Sequence, residues 1–419
     1  MITGRDIIVT SLQSWDLAIG GNCKNIALEF AKDNRVLFVN SPLDRATIWR
    51  KSQEPQIRKR IDINKGKSAS LVQEGKNLWV LYPRTVLESI GRIPWNWIFD
   101  RLNGVNNRRF ANQILKATRQ LGFKDPILFN DSNIFRGFYF RELISPSLSV
   151  YYSRDNLMAI DFWKRHGSRL EPILMQKSDI VISNSDYLRN IAKQYNSRSI
   201  SVGQGCDISI YDRKKIKIVP ADIASIPSPI IGYTGVVFSL RLDPDLIRFV
   251  AKQYPKWNFV LIGPEDEDFK TSDLHEYNNI YFLGSKHPDQ LPEYINRFDV
   301  AINPQKLNAL TVGNYPRKID EYLAMGKPVV ALKTEAMSFF AEHTYLATNK
   351  EEFGKQIETA LFENTAEKER IREEFAHSHS WANNVQDIYR AMEMAMDTRN
   401  DTYGFSELKG KLSVNTLKY

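Results

Sequence analysis

Cysteine is scarce. The 419 residues hold two, Cys23 and Cys206, far apart and in neither a metal-binding nor a redox spacing. A reduced cytoplasmic setting fits that usage. Histidine is nearly as rare, with six, and no HExxH pair occurs among them, which removes the zincin type of metal chemistry. His377 and His379, ahead of Trp381, read as surface residues. No apolar stretch approaches the roughly 20 residues of a membrane-spanning helix. Arg5-Asp6 interrupts the N-terminus before any run of signal-peptide length, so a soluble or peripheral protein is expected. A GxGxxG fingerprint is absent as well, and the Gly20-Gly21 pair sits in too long a loop to replace it. What remains is an ordinary globular composition, 42% apolar and 25% charged, in a chain long enough for two cores.

Strand and helix alternate along most of the chain, the pattern of parallel α/β sheets. Asp6–Thr10 and Arg35–Val39 read as strands around a helix from Asn22, which is taken as its cap, through Lys32. Ile127–Asn130, Ser149–Tyr152, Asp179–Ser183 and Ser199–Val202 follow as strands, with a helix near Glu171–Lys177 and another capped by Asn184-Ser185-Asp186 and running through Tyr195. Ile208–Pro229 breaks the periodicity and reads as a linker. The organisation expected is therefore a first Rossmann-like domain over 1–207, a linker over 208–229 and a second Rossmann-like domain over 230–380. A closing helix over 381–396 and a loose polar tail over 397–419 complete it. Strands of the second domain end in Gly235, Gly263 and Gly284, where a missing side chain lets a ligand approach the backbone. Asp243-Pro244 reads as a helix start and Glu265–Asp268 as a solvated acidic turn, so no metal site is assigned.

The most informative stretch runs from Asp299 to Leu332. Val300-Ala301-Ile302 is a buried strand, a helix begins near Pro316 with Asn314 as its cap, and Gly326-Pro328 ends it before the strand Pro328–Leu332. Lys318 falls in the first turn, where a cation opposes the helix dipole, and Glu321 follows on the same face. Either the two are a surface ion pair, or they bracket a phosphate and a hydroxyl-bearing sugar. Asp131 and Asp155 end strands of the first domain, and either could serve as an acid–base residue or simply as a cap.

Two segments concentrate charge. Arg45 to Lys67 holds eight basic residues against Glu54 and Asp62, most of the chain's net +8. Arg84 to Phe110 adds five arginines interleaved with Ile93, Trp95, Trp97, Ile98 and Phe99. Basic residues beside aromatics suit an anionic membrane surface. Nucleic acid is the other partner of such patches, but no recognition module is visible. A solvated loop followed by a core helix is the third reading. The combination of charge with aromatics favours the membrane.

Pro316-Arg317-Lys318-Ile319-Asp320-Glu321-Tyr322-Leu323-Ala324-Met325-Gly326-Lys327-Pro328-Val329-Val330 resembles the donor-nucleotide motif of GT-B glycosyltransferases. The likeness is to family 4 and the enzymes of teichuronic acid and exopolysaccharide synthesis. Asp179–Ser185 and Gly205-Cys206-Asp207 resemble the same family. The resemblance implies two Rossmann-like domains facing across a cleft and transfer of a sugar from a nucleoside diphosphate, a UDP-sugar above others. The acceptor it implies is lipid-linked, at the inner face of the cytoplasmic membrane, and the chemistry needs no metal or other cofactor. It assigns Glu321 to the ribose, Lys318 to the diphosphate, with Arg241 as a possible aid, and Ser285-Lys286 to the nucleobase. It turns Trp15 and Asp16 towards the acceptor, although a turn around a packed Trp explains them equally, and it likens Asp155 to the catalytic side of inverting relatives. A second Glu common in the family is replaced by Gly313. That departure, with no clear Lys in Gly235–Arg241 where relatives commonly place one for the diphosphate, supports one rival, a catalytically silent scaffold. The other rival is a sugar-nucleotide epimerase of the same fold, which needs more cleft histidines and carboxylates than the sequence offers.

Overall fold

The computed structural model describes residues 2–16 and 21–397. The chain divides into two compact units. One comprises 1–184, 188–202 and the chain from Asn384; the other comprises 185–187 and 203–383. The loop positions 17–20 and nearly all of the tail read as loose lie outside the described residues.

The first unit is built on an eight-stranded sheet. In spatial order its strands are Ser199–Ser201, Ile180–Ser183, Leu148–Ser153, Ile127–Asp131, Asp6–Ser11, Arg35–Val39, Leu78–Leu81 and Leu71–Gly75. All neighbours are parallel except the edge strand Leu71–Gly75, which pairs antiparallel with Leu78–Leu81. Ile7, Ile8, Val9, Val150, Tyr151 and Ile182 are fully buried, as expected when helices cover both faces of a parallel sheet. The order reverses between Asp6–Ser11 and Ile127–Asp131, which puts the carboxyl ends of these two strands at the switch point.

The second unit repeats the plan with six parallel strands. In order they are Ile280–Phe282, Asn258–Ile262, Ile230–Thr234, Val300–Asn303, Val329–Leu332 and Tyr345–Ala347. Here the order reverses between Ile230–Thr234 and Val300–Asn303. One face packs Ile319, Tyr322 and Leu323 under the sheet; the other packs Leu246, Ile247, Val250, Phe353 and Ile357. Asp243 accepts hydrogen bonds from the Asp245 and Leu246 N–H groups and so starts the helix Pro244–Gln253. Asp266 caps the short helix Glu267–Lys270 and accepts from Ser239. The passage read as a linker packs into this unit, with Ile208, Tyr211, Ile223 and Ile226 buried in its core.

Several elements differ from the sequence reading. The helix expected near Glu171 begins at Asp161, because Gly167 and Pro172, residues that suggest a break, are absorbed within it. Asn22 opens its helix rather than capping it; Gly21 holds the cap position, with no side-chain bond. The basic segment is two helices, Arg45–Lys51 and Pro55–Asn64, and Ala366–His377 is a further helix. From Asn384 the closing helix, Trp381–Asp397, packs within the first unit. There Tyr389 stacks on Phe30 with centroids 5.3 Å apart, and Asn34 Nδ2 donates to its hydroxyl at 2.8 Å.

Candidate functional site

In the second unit the site forms at the switch point of the six-stranded sheet. The Gly235 N–H donates to the Ile262 carbonyl at 2.8 Å, and the Gly263 N–H donates to the Gly284 carbonyl at 3.0 Å, so the three strand-end glycines form one edge. A Cβ on Gly263 would lie 1.8 Å from the Gly235 carbonyl oxygen, and its φ of +152° is one that side chains avoid. Two backbones thus touch where any other residue would separate them.

Lys318 reaches this edge from the helix Lys318–Ala324. The helix starts two residues later than expected. Asn314 does not cap it; Arg317 occupies the cap position, itself αR and without a side-chain bond. The Lys318 ammonium is partly buried. It donates to the Tyr233 hydroxyl, lies 3.9 Å from that ring's centroid, and sits 3.0 Å from where a Gly235 Cβ would be. Among the described residues no carboxylate comes within ion-pair distance of it. Desolvation, only partly offset by the charge of Glu321, pulls its pKa down to about 7, and Arg241 pushes the same way. The surface ion pair left open by the sequence is thereby excluded.

Glu321 pairs instead with Arg317, Nε to Oε1 3.5 Å, and hydrogen-bonds Tyr211. Burial raises its pKa against the lowering charges of Arg317 and Lys318. Ser285 is exposed, whereas Lys286 is tied to Asp222 at 2.6 Å beside Tyr294. Gly313 lies against Tyr187, whose ring carbon would be 1.9 Å from a Cβ, and Ser185 Oγ donates to the Gly313 carbonyl at 2.9 Å. A glutamate cannot stand at Gly313 while Tyr187 is there, which gives that departure a steric cause.

His379 is a correction. The sequence places it at the surface, but its Nδ1 lies 2.9 Å from Asp320 Oδ1, and the Tyr315 hydroxyl donates to Asp320 Oδ2 at 3.0 Å. Asp320 is wholly buried on the helix that carries Lys318 and Glu321, so the pair anchors that helix from beneath. His377 is exposed, as read.

In the first unit, Asp131 sits at the sheet's switch point and is fully buried. Ser11 Oγ donates to it at 2.6 Å and Arg154 Nε at 2.7 Å. The same Arg154 reaches Asp155 at 3.3 Å, and Asp155 keeps 30% of its side chain exposed. Of the two aspartates that the sequence offered, Asp131 is sealed and Asp155 is accessible. Trp15 is buried, packs on Phe38 at 5.1 Å, and donates its backbone N–H to Asn40. Asp16 binds Arg60 at 2.6 Å, with both side chains largely covered. Arg60 is therefore withdrawn from the basic surface that the sequence assigned it to. Arg45 and Arg109 both pair with Glu88.

Tyr233, Tyr187 and Tyr211 are not singled out by the sequence, and His379 is placed by it at the surface, since each takes its position through contacts distant in the chain. Among the described residues no three His, Cys, Asp or Glu side chains come together as a metal site, and no helix is long and apolar enough to cross a membrane.

Residues 238–363 match the family described as Glycosyl transferases group 1. The putative teichuronic acid biosynthesis glycosyltransferase TuaH of Bacillus subtilis is 26% identical over 191 residues, 44% of this chain and 48% of that protein. The chain thus spans about half the length of this curated relative. Among solved structures, Anabaena Alr3699/HepE in complex with UDP superposes with a TM-score of 0.63 at 14% identity, covering 93% of this chain and 100% of that one. The E. coli trehalose-6-phosphate structure bound with UDP-2-fluoro glucose superposes with a TM-score of 0.65 at 10% identity, covering 93% and 99%. At such identities the likeness is one of fold, and the fold is that of the GT-B glycosyltransferases.

Proposed function

We propose that the protein is a glycosyltransferase that moves a sugar from a nucleoside diphosphate, a UDP-sugar, to an acceptor hydroxyl. One observation carries this reading. Lys318 holds a partly buried ammonium at a sheet switch point, against glycine backbone, with no carboxylate in ion-pair reach among the described residues. Such a cation is costly unless an anion completes it, and a diphosphate is the anion that the resemblance of Pro316–Val330 to a donor-nucleotide motif implies. In this reading Lys318, aided by Arg241, takes the charge that builds on the leaving diphosphate. Glu321 accepts from the ribose hydroxyls, and Ser285-Lys286 lies by the base. Asp155 takes the proton of the attacking hydroxyl, so that the bond to the sugar forms as the bond to the diphosphate breaks and the anomeric centre inverts. Trp15 and Asp16 are assigned to the acceptor side, as the resemblance implies.

UDP is favoured because HepE was captured with it. The acceptor in this reading is a lipid-linked glycan, met at the inner, anionic face of the membrane that the basic segments of the first unit suit; that TuaH is named for teichuronic acid biosynthesis supports a polysaccharide product. A nucleotide-binding scaffold without turnover is the second reading, favoured by Gly313, where the carboxylate common in relatives is lost. A thermal-shift screen with UDP, GDP, CDP and their sugars tests the proposal, because a ligand bound only by the folded chain raises the melting temperature. A response to UDP with sugar release above the uncatalysed rate supports the enzyme; a response without turnover leaves the scaffold; no response to any of them overturns both.

A further inference from the structure

Three of the protein's eight tryptophans are strongly exposed: Trp49 at 81%, Trp95 at 61% and Trp97 at 70%. All three lie in the first unit. Trp49 is on the helix Arg45–Lys51, and the other two stand at the start of the helix Asn96–Leu121. Ile160 and Phe162, 41% and 49% exposed, come from a segment that the sequence did not connect with them, at the start of the helix Asp161–Lys177.

The passage 88–97 holds these aromatics together. On one side the Ala46 N–H donates to Ser89 Oγ at 2.8 Å and Arg45 pairs with Glu88 at 2.7 Å, which docks the Trp49 helix. On the other side a Cβ on Gly91 would lie 2.6 Å from the Phe162 ring, so glycine lets that ring close in. Arg165 donates to the Arg92 carbonyl at 3.0 Å, and His166 lies 2.7 Å from the Ile93 carbonyl. Three segments distant in sequence thus meet at this passage, and each leaves large apolar side chains exposed. Soluble monomers seldom leave such a group uncovered.

The flanking charge says what covers it. Arg50 and Lys51 follow Trp49, Arg92 precedes Trp95, Arg101 follows Trp97, and Lys164 and Arg165 follow Phe162. Indole rings with Arg and Lys beside them match the boundary between headgroups and acyl chains of an anionic bilayer. Charge alone is a weaker explanation than the sequence implied, since Arg45, Arg60 and Arg109 are bound to carboxylates of this chain.

We infer that Trp49, Trp95, Trp97 and Phe162 form an aromatic anchor that inserts into the membrane interface, with the neighbouring basic residues orienting it rather than supplying most of the binding. This rests on the membrane reading proposed above and changes its energetic basis from charge to insertion. Binding therefore keeps a salt-resistant part.

The test is co-sedimentation of the full chain with vesicles of mixed phosphatidylcholine and phosphatidylglycerol. It is run at low salt and again at salt high enough to shorten the Debye length to about 3 Å. Wild type should weaken at high salt yet remain partly bound, with a blue shift of its tryptophan emission. The triple variant Trp49→Ala, Trp95→Ala, Trp97→Ala should partition at least about tenfold less at both salts. Equal partitioning of variant and wild type overturns the anchor, as does complete release of wild type by salt. Vesicles ignored by a wild type that forms a Trp-dependent dimer on size exclusion would instead assign the face to a second copy, and would also overturn it. The UDP-induced melting shift is read in parallel. Its retention shows that the variant is folded, and its absence in wild type counts against the donor site without touching the vesicle result.

Discussion

UDP affinity should fall as pH rises above neutrality, and Lys318 should be the reason. In the free protein its pKa is pulled down to about 7 by desolvation beside Tyr233 and Gly235. A diphosphate against the ammonium favours the charged form, so its pKa rises on binding. Between the two values the protein must take up a proton to bind. The apparent dissociation constant then scales as one plus the ratio of neutral to charged lysine. That predicts about fivefold weakening from pH 7 to 8 and about tenfold from 8 to 9. At pH 8 nearly one proton, about 0.9, should be taken up per UDP. Stability of the unliganded chain moves the other way. Because the folded pKa lies below the ordinary value of a lysine, about 10.4, the unfolded state binds more protons in that window, and the contribution of Lys318 to stability rises with pH from about 7 towards that ordinary value. Titration calorimetry in buffers of different ionisation enthalpy reads the proton directly, and Lys318→Met supplies the baseline. A flat affinity from pH 7 to 8.5, or the same slope in the Lys318→Met variant, refutes the reasoning.

Three further outcomes follow from the geometry. Asp155→Asn should lower transfer by about a hundredfold while leaving the UDP melting shift intact, because the accessible carboxylate is in the first unit and the proposed nucleotide site in the second; near-normal transfer, or a retained anomer by NMR, would reject the base assignment. Gly263→Ala should destabilise the second unit by about 1–3 kcal/mol in chemical denaturation, since φ is +152° and the new methyl meets the Gly235 carbonyl; a midpoint unchanged from wild type would mean that the strand ends do not touch. Glu321→Ala should weaken UDP and uridine by similar factors, about tenfold or more each, because the ribose is common to both; a loss confined to UDP would place Glu321 at the phosphates instead.

Most of both sheets was legible because their strands are buried on both faces. Ile7-Ile8-Val9 and Val300-Ala301-Ile302 are continuous apolar runs bounded by polar residues, and tertiary context had nothing to override. The helix Ala366–His377 was missed for the opposite reason: apart from Ile371 and Phe375 its sequence is polar or small all round, so it carries no clear periodic signal. The hairpin Leu71–Leu81 was obscured by its charged surroundings, although Leu78–Leu81 is itself apolar.

Within the site, Lys318 stood out because a cation in a first helical turn has no local justification. Its actual partner, Tyr233, lies 85 residues earlier in a strand where an aromatic reads as core. The same limit hid Tyr187 behind Gly313 and His379 beneath Asp320. It also let Arg60 be counted as surface charge, although Asp16, 44 residues away, holds it. Sequence marks a residue that does not suit its local setting; it does not say which distant residue makes it suit.

The central claim is that Lys318 serves the diphosphate. Comparing UDP with uridine binding in wild type and Lys318→Ala, by calorimetry with the fold checked by circular dichroism, tests it most directly. The account predicts about a tenfold to hundredfold loss for UDP and little change for uridine, which has no phosphates. Equal losses for both would make Lys318 a support of the loop, and undiminished UDP binding by a folded Lys318→Ala protein would contradict the donor site as a whole.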